Sequence, residues 1–137
     1  MKTKAELLPE CPVATTVQLI GNKWKLLIIR NLLVRPWRFN ELQKNLDGIS
    51  QKVLTDSLRS LEQDGLITRT VYAEVPPRVE YALSDLGLSL KPILDAMQNW
   101  GKSYKSLMSE LVLEFDFALT AALEENDQKQ ERKSGSI

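Results

Sequence analysis

The sequence contains no histidine and a single cysteine, Cys11. The usual general base of enzymes and the commonest imidazole metal ligand are therefore missing, which argues against zinc sites and against Ser-His or Cys-His catalysis. One cysteine cannot form a disulfide within the chain, as expected for a reducing compartment. The six glycines stand singly, so there is no glycine-rich phosphate loop. We expect no catalytic site, no metal site and no cofactor.

Long apolar runs are also missing. The longest, at residues 26–29 and 32–34, fall far short of the ~20 residues that a membrane-spanning helix needs. The basic N-terminus is followed by Pro9, Glu10 and Cys11 where a secretory signal would have an apolar segment. We therefore expect a cytoplasmic protein that does not enter membranes.

The charges balance over the whole chain but not along it. The formal net charge is zero, yet residues 23–59 hold eight basic and three acidic residues, whereas residues 106–137 hold three basic and seven acidic ones. This separation predicts that the two parts have different functions, and the basic part is the candidate for binding nucleic acid.

The most clearly bounded segment lies at residues 47–66. Asp47-Gly48 is a turn pair, Ser50 can accept a hydrogen bond from the first turn of a helix, and Gly65 can adopt the left-handed conformation that ends one. An ordinary surface helix and a helix that contacts a ligand both fit the pattern between these ends. One side carries Leu54, Leu58 and Leu61, and the other carries Gln51, Lys52, Thr55, Asp56, Arg59 and Gln63.

Three further helices are predicted upstream, at about residues 13–20, 23–33 and 39–46. Pro36 ends the second, because proline lacks a donor and disfavours helix at the residue before it. The third helix, a tight glycine turn and the helix at residues 50–64 together have the pattern of a helix-turn-helix.

Two β-type runs follow, at residues 66–72 and 79–83. The loop between them is too long for a two-residue hairpin turn and contains Pro76 and Pro77, which predicts a stiff, exposed loop. The pattern is that of a β-ribbon with a wing.

The C-terminal part reads as helix. Ser84 is expected to cap a long helix that runs to Trp100, with Gly101 as a candidate kink or break. Residues 104–123 continue the apolar repeat, with few contacts left to make inside so small a domain, which implies a partner surface. The polar residues 126–137 are expected to be disordered.

Several stretches together carry a family resemblance. The chain resembles the HxlR-type transcriptional regulators over about residues 11–101, and the resemblance implies a homodimer that binds operator DNA, with the dimer built from the terminal helices. The matching stretches are Cys11-Pro12-Val13 and residues 20–24, 38–42, 48–55, 58–61, 64–66, 75–81 and 86–87.

The expected fold class is therefore mainly α with a small β-ribbon (α+β), a winged helix-turn-helix with additional terminal dimerisation helices. We expect a flexible tail at residues 1–10, the winged helix-turn-helix DNA-binding domain at 11–103, a dimerisation helix at 104–125 and a disordered tail at 126–137. The residues assigned to dimerisation are Val13, Leu107, Leu111, Phe115 and Leu119.

In such folds the second helix of the helix-turn-helix enters the major groove of double-stranded DNA with its N-terminal half. Ser50, Gln51 and Thr55 can donate to and accept from base edges or phosphates. Lys52 and Arg59 supply positive charge to guanine edges or phosphate oxygens. For each polar residue alone, a solvated helix face remains the alternative.

Two flanking positions complete the predicted DNA interface. Arg38 and Asn40 begin the helix-turn-helix and are expected near backbone phosphates. Arg78, taken to lie at the tip of the wing, is the candidate for the minor groove, where narrow A·T tracts attract arginine. Its alternative is an ion pair with Glu74 or Glu80.

Effector binding leaves alternatives open. The N-terminal dipole of the first helix favours the thiolate of Cys11, and the resemblance implies that some members respond to oxidants or electrophiles through a cysteine at this position; the alternative is a small buried residue. Trp24, Trp37 and Trp100 fit either a small-molecule effector pocket or a packed core. The competing functional class is a winged helix that binds only other proteins.

Overall fold

The computed structural model describes residue 3 and residues 5–134. The described part of the chain is mainly helical with one small antiparallel sheet, which confirms the expected fold class. The elements in chain order are a 3-10 turn (Ala5–Leu7), α1 (Pro12–Ile20), α2 (Lys23–Leu32), β1 (Trp37–Arg38), α3 (Phe39–Asn45), α4 (Gln51–Gln63), β2 (Ile67–Tyr72), β3 (Arg78–Leu83), α5 (Asp85–Leu88) and α6 (Lys91–Ser134).

The core forms where the apolar faces of the first four helices meet the start of the sheet. Leu54, Leu58 and Leu61 of α4 are buried, as their helical spacing predicts. The polar side of the same helix is thereby left outside. The other buried core residues are Ile20, Ile28, Ile29, Leu32, Leu42, Leu46, Ile49, Leu66 and Ile67.

The predicted start of α2 and both predicted ends of α4 are confirmed. Asn22 Oδ1 accepts a hydrogen bond from the Trp24 N–H at 2.8 Å, and Ser50 Oγ accepts from the Val53 N–H at 3.1 Å. Gly65 ends α4 with a φ of +76°, a backbone conformation that residues with a side chain rarely adopt. These signals fix where α4 starts and stops.

A buried asparagine ties α3 to α2. The Asn31 amide nitrogen donates to Asn45 Oδ1 at 2.8 Å, and its side-chain oxygen accepts from the Arg30 guanidinium. The indole N–H of Trp37 donates to the Asn31 backbone carbonyl at 2.8 Å. These bonds satisfy a buried amide and set the position of the first helix of the helix-turn-helix.

The sheet has the order β1-β3-β2. β2 and β3 form the expected ribbon, with partners running from Ile67 opposite Leu83 to Tyr72 opposite Arg78. β1 was not predicted. It pairs Trp37 with Tyr81 on β3, and two residues after a proline are too few to show an alternating pattern.

The helix expected to begin at Ser84 is two helices. Ser84 Oγ does cap α5, accepting from the Gly87 N–H at 3.0 Å, and it also donates to the Gly65 carbonyl at 2.6 Å. α5 ends after one turn and α6 begins at Lys91. The physical reason is Pro92, which has no N–H to continue the α5 ladder but fits the first turn of a new helix.

α6 differs from the prediction in three ways. It runs through Gly101 without interruption, so the alternative of a break at this glycine is wrong. It continues as helix to Ser134, where a disordered tail was expected; residues 135–137 lie outside the described residues. The contacts divide the chain after Leu94, earlier than the boundary expected at residue 103.

The N-terminal tail is only partly described. The 3-10 turn occupies part of the tail that was expected to be flexible, and Thr15 Oγ1 donates to the Pro9 carbonyl at 2.9 Å. Residues 1, 2 and 4 lie outside the described residues. None of the helices within the described part is long and apolar enough to cross a membrane.

Candidate nucleic-acid interface

The polar face of α4 lies opposite its buried leucines. Gln51, Lys52 and Arg59 are exposed and Thr55 is half-buried, so the N-terminal half of the helix presents these side chains outward as predicted. The arrangement leaves a row of hydrogen-bonding and cationic groups on a helix held rigidly by its other side.

Two of these side chains already have a partner within the helix. The Ser50 hydroxyl oxygen accepts the capping bond, so its O–H group is what remains for an external acceptor. The Thr55 hydroxyl donates to the Gln51 backbone carbonyl at 2.8 Å, so its oxygen remains as an acceptor. Thr55 can therefore only accept a hydrogen bond from a ligand, whereas Ser50 keeps its donor and one further lone pair.

Lys52 forms an ion pair with Asp56, one turn later, at 2.7 Å. The hydrogen bond and the charge of Lys52 hold the pKa of the Asp56 carboxyl below its ordinary value, with a smaller contribution from Arg59. Asp56 is thus the acidic member of the face and neutralises a predicted DNA contact in the free protein. Arg59 forms no ion pair with any described residue.

The start of α3 is fixed by a carboxylate. The Arg38 backbone N–H donates to Glu41 Oε1 at 2.9 Å, and this bond, together with the nearby charge of Arg35, lowers the pKa of Glu41. The guanidinium of Arg35 lies 3.7 Å from the ring centre of Trp37 and 3.5 Å from Glu41 Oε2. The Arg38 and Asn40 side chains are exposed, and Arg38 forms no ion pair within the described chain.

Arg78 is not at the tip of the wing, contrary to expectation. It is the first residue of β3, where its guanidinium pairs with Glu74 at 3.2 Å and Glu80 at 3.0 Å and lies 3.9 Å from the ring centre of Tyr72. Only 27% of the side chain is exposed. The ion pairs with Glu74 and Glu80, which were the alternative to a DNA contact, are thus both present. The minor-groove contact stays a prediction.

Two shallow grooves lie beside the predicted DNA-contacting residues, and Phe39 lines both of them. One, of about 430 Å³, lies between the start of α3 and the wing and includes Arg38, Asn40 and Arg78. The other, of about 490 Å³, lies between α4 and the sheet. The second groove is lined by Phe39, Gln51, Thr55, Leu58, Arg59, Glu62, Arg69 and Tyr81.

Arg69 is a cation near α4 that is not among the predicted DNA contacts. Side chains alternate along β2, so Arg69 shares a face with Ile67, which is buried in the core. Two residues further along, that face leaves the core and carries an exposed arginine beside α4. Its spacing of two residues from Ile67, on the same face of β2, was the sequence signal that could have identified it.

Cys11 is exposed and lies at the N-cap of α1 without a capping bond from its side chain. The alternative of a small buried residue is therefore wrong. Trp24 and Trp37 pack against the core, whereas Trp100 is exposed on α6 and stacks on Tyr104 with ring centres 5.3 Å apart. The described residues contain no group of three or more potential metal ligands.

The residues assigned to dimerisation are exposed. Val13 on α1 is 72% exposed, and on α6 Phe115 is 68% exposed. Large exposed apolar surfaces are typical of sites that contact other molecules. The other large apolar residues exposed on α6 are Ile93, Met97, Trp100, Tyr104, Leu107, Met108, Leu111, Val112, Leu113, Phe117, Leu119 and Leu123.

Comparison with known proteins identifies the family. The HxlR-like helix-turn-helix family model matches residues 19–109. The chain is 46% identical over 101 residues to the Bacillus subtilis protein described as an uncharacterized HTH-type transcriptional regulator, YdeP, a match that covers 74% of this chain and 79% of YdeP. A regulator from Methanothermobacter thermautotrophicus is 50% identical over 96 residues, which cover 70% of this chain and 73% of the relative.

Solved structures agree. The redox regulator HypR in its oxidized form is 44% identical, with a TM-score of 0.66, covering 68% of this chain and 96% of HypR. The reduced form of the transcriptional regulator YodB from B. subtilis is 35% identical, with a TM-score of 0.61, covering 70% of this chain and 95% of YodB. The chain belongs to the HxlR-like family of helix-turn-helix transcriptional regulators.

Proposed function

We propose that this regulator binds a two-fold symmetric operator as a homodimer, with the N-terminal half of α4 in the major groove of each half-site. The observation that carries the proposal is the exposed polar face of α4 on a helix whose other face is buried in the core. Two-fold symmetry in the protein requires two-fold symmetry in the DNA site.

The hydrogen-bonding capacities suggest a division of labour. Gln51 can make a bidentate pair with adenine, and Lys52 can donate to guanine once its pair with Asp56 opens. The free hydrogen of Ser50 suits a phosphate oxygen, and the free oxygen of Thr55 suits a base amino group. Arg38 and Asn40, at the start of α3, suit backbone phosphates, and Arg59 supplies charge further along α4.

The alanine variants Gln51→Ala and Arg38→Ala test this division. Gln51→Ala should relax sequence preference at one position in each half-site, at a cost of about 1–3 kcal/mol for each preferred base. Arg38→Ala removes one phosphate contact from each protomer of the dimer. It should weaken binding to all sequences alike and reduce the slope of log K against log salt by about 1.8. The proposal fails if DNA selected by the wild-type protein shows no shared sequence. The protein-binding alternative predicts no salt-dependent DNA binding.

The dimer is proposed to form through α1 and α6. Its support is the exposed apolar set that includes Val13, Leu107, Leu111, Phe115 and Leu119. Phe115→Glu should shift the protein toward monomer in analytical ultracentrifugation, because a buried charge at a dimer seam is unfavourable. Gln128→Glu adds the same charge to the same helix outside this set and is the matched control. Equal dimer affinities for the two variants would refute the assignment.

We further propose that Cys11 makes the regulator redox-responsive, as the names of HypR and of diamide-treated YodB suggest for those relatives. Cys11 is the only cysteine and is exposed, so a disulfide within the protein must join two chains. Two thiols would lose two protons and two electrons, which reduce the azo bond of diamide to a hydrazine.

Diamide treatment provides the test. Wild-type protein should form a chain-to-chain disulfide on a non-reducing gel and change its operator affinity, and dithiothreitol should reverse both. Cys11→Ser should form no disulfide and show no change in operator affinity with diamide, and it should bind the operator as tightly as the reduced wild type does. If diamide left the operator affinity of the wild type unchanged, Cys11 would not be a sensor.

A further inference from the structure

The groove between α4 and the sheet brings two arginines to one place from different elements. Arg59 comes from the second half of α4 and Arg69 from β2, and both side chains are exposed and line the same groove of about 490 Å³. Neither forms an ion pair with a described residue. Two like charges directed into one groove raise the local positive potential and favour an anion there.

The surroundings fit an anion with several oxygen atoms. Gln51 and Tyr81 line the same groove and can donate hydrogen bonds. Glu62 also lines it and is the acidic group that an anion must avoid. Glu62 forms no ion pair with either arginine, so both guanidinium groups keep their donors for a ligand.

We propose that this groove binds the sugar–phosphate backbone of the operator, with Arg59 and Arg69 contacting phosphate oxygens. The inference rests on the proposed function and adds Arg69, a residue of the sheet, to the DNA interface. In a helix-turn-helix the N-terminal half of the second helix reads bases. Arg59 lies eight residues after Gln51, about 12 Å along the helix, where the backbone at the edge of the groove is the nearer target.

A salt titration of operator binding by Arg69→Gln tests the proposal, because the variant keeps a polar side chain of similar reach and removes the charge. Each neutralised phosphate contributes about −0.9 to the slope of log K against log salt. Because each dimer carries two copies of Arg69, the substitution should reduce the slope by about 1.8. Raising the salt from about 50 to about 200 mM should therefore weaken the wild type about 12-fold more than it weakens Arg69→Gln. The loss should be equal on operator and on unrelated duplex DNA.

Arg132→Gln, on α6, is the control for net charge. It should keep the wild-type slope. Glu62→Gln should tighten binding, because it removes the acidic group from the groove. If the wild type, Arg132→Gln and Arg69→Gln all bind DNA with the same steep salt slope, the groove proposal is wrong. The proposed function stands in that case. If the wild type itself shows no salt-dependent binding, the proposed function fails.

A small anion is the competing occupant of the groove. Inorganic phosphate, added at constant ionic strength, should leave operator binding unchanged if the groove holds the DNA backbone. If phosphate binds the wild type but not Arg69→Gln, and Arg69→Gln keeps the wild-type salt slope for DNA, the groove belongs to a free anionic effector and the proposal is overturned.

Discussion

Replacing Gly87 with alanine should destabilise the winged domain severely. A Cβ atom at Gly87 would lie 2.0 Å from the Leu66 carbonyl oxygen and 3.0 Å from Leu83 Cδ2. Ordinary contact requires α5 to move away from the chain that enters β2 by more than about 1 Å. That movement would strain the hydrogen bonds from Ser84 N–H to the Leu66 carbonyl, 3.1 Å, and from Ser84 Oγ to the Gly65 carbonyl, 2.6 Å.

The size of the effect follows from these contacts. Overpacking costs about 1–3 kcal/mol, and each hydrogen bond lost costs about 1 kcal/mol more. Together these give about 3–5 kcal/mol, enough to lower Tm by at least ~12 °C for a unit of this size. Urea unfolding followed by tryptophan fluorescence measures it, since Trp24 and Trp37 pack against the core. The protein concentration must be matched, because dimerisation shifts apparent stability.

Gly101→Ala is the matched control. Nothing lies within 4 Å of a Cβ at Gly101, which is inside α6, so the substitution should be neutral or should stabilise the helix by about 0.5–1 kcal/mol. If Gly87→Ala unfolded within about 1 kcal/mol of the wild type, the close approach of α5 to the Leu66 carbonyl would be refuted.

Three other predictions concern charged and capping side chains near the interface. Ser50→Ala removes the cap of α4 and should cost about 1 kcal/mol in urea unfolding; an unchanged midpoint would contradict the capping bond. Asp56→Asn releases Lys52 and removes a negative charge from the DNA-facing side of α4, so it should tighten operator binding; an unchanged affinity would mean that Lys52 does not contact the operator. The lowered pKa of Glu41 means that its contribution to stability is present above its unfolded pKa and is lost as pH falls through the folded one. Glu41→Gln should therefore lose less stability than the wild type when the pH is lowered below about 4.5; parallel acid titrations would argue against this role.

Local signals in the sequence predicted much of the fold. Asn22, Ser50 and Gly65 act within a few residues of themselves, so the ends they mark were correct. Pro92 was equally local, but the apolar repeat that runs across it concealed the break between α5 and α6. β1 escaped detection because it exists only through its pairing with β3.

The candidate site was less predictable, because charge pairing is decided in three dimensions. Exposure of the α4 face followed from helical periodicity. The ion pairs of Arg78 depend on the wing folding back, which brings Glu74 near it. Arg69 is adjacent to α4 only through the packing of the sheet, and its distance in sequence from Gln51 concealed that neighbourhood. Free and neutralised cations therefore could not be told apart from the sequence.

Selection of bound fragments from random duplex DNA, followed by footprinting of the selected site, tests the central claim most directly. The proposed function predicts a two-fold symmetric site whose half-sites lie about one helical turn apart, about 34–36 Å, or a little more. It also predicts that Gln51→Ala selects a site with one position relaxed in each half. A single asymmetric site, or no enriched sequence, would contradict the claim that a dimer reads DNA through α4.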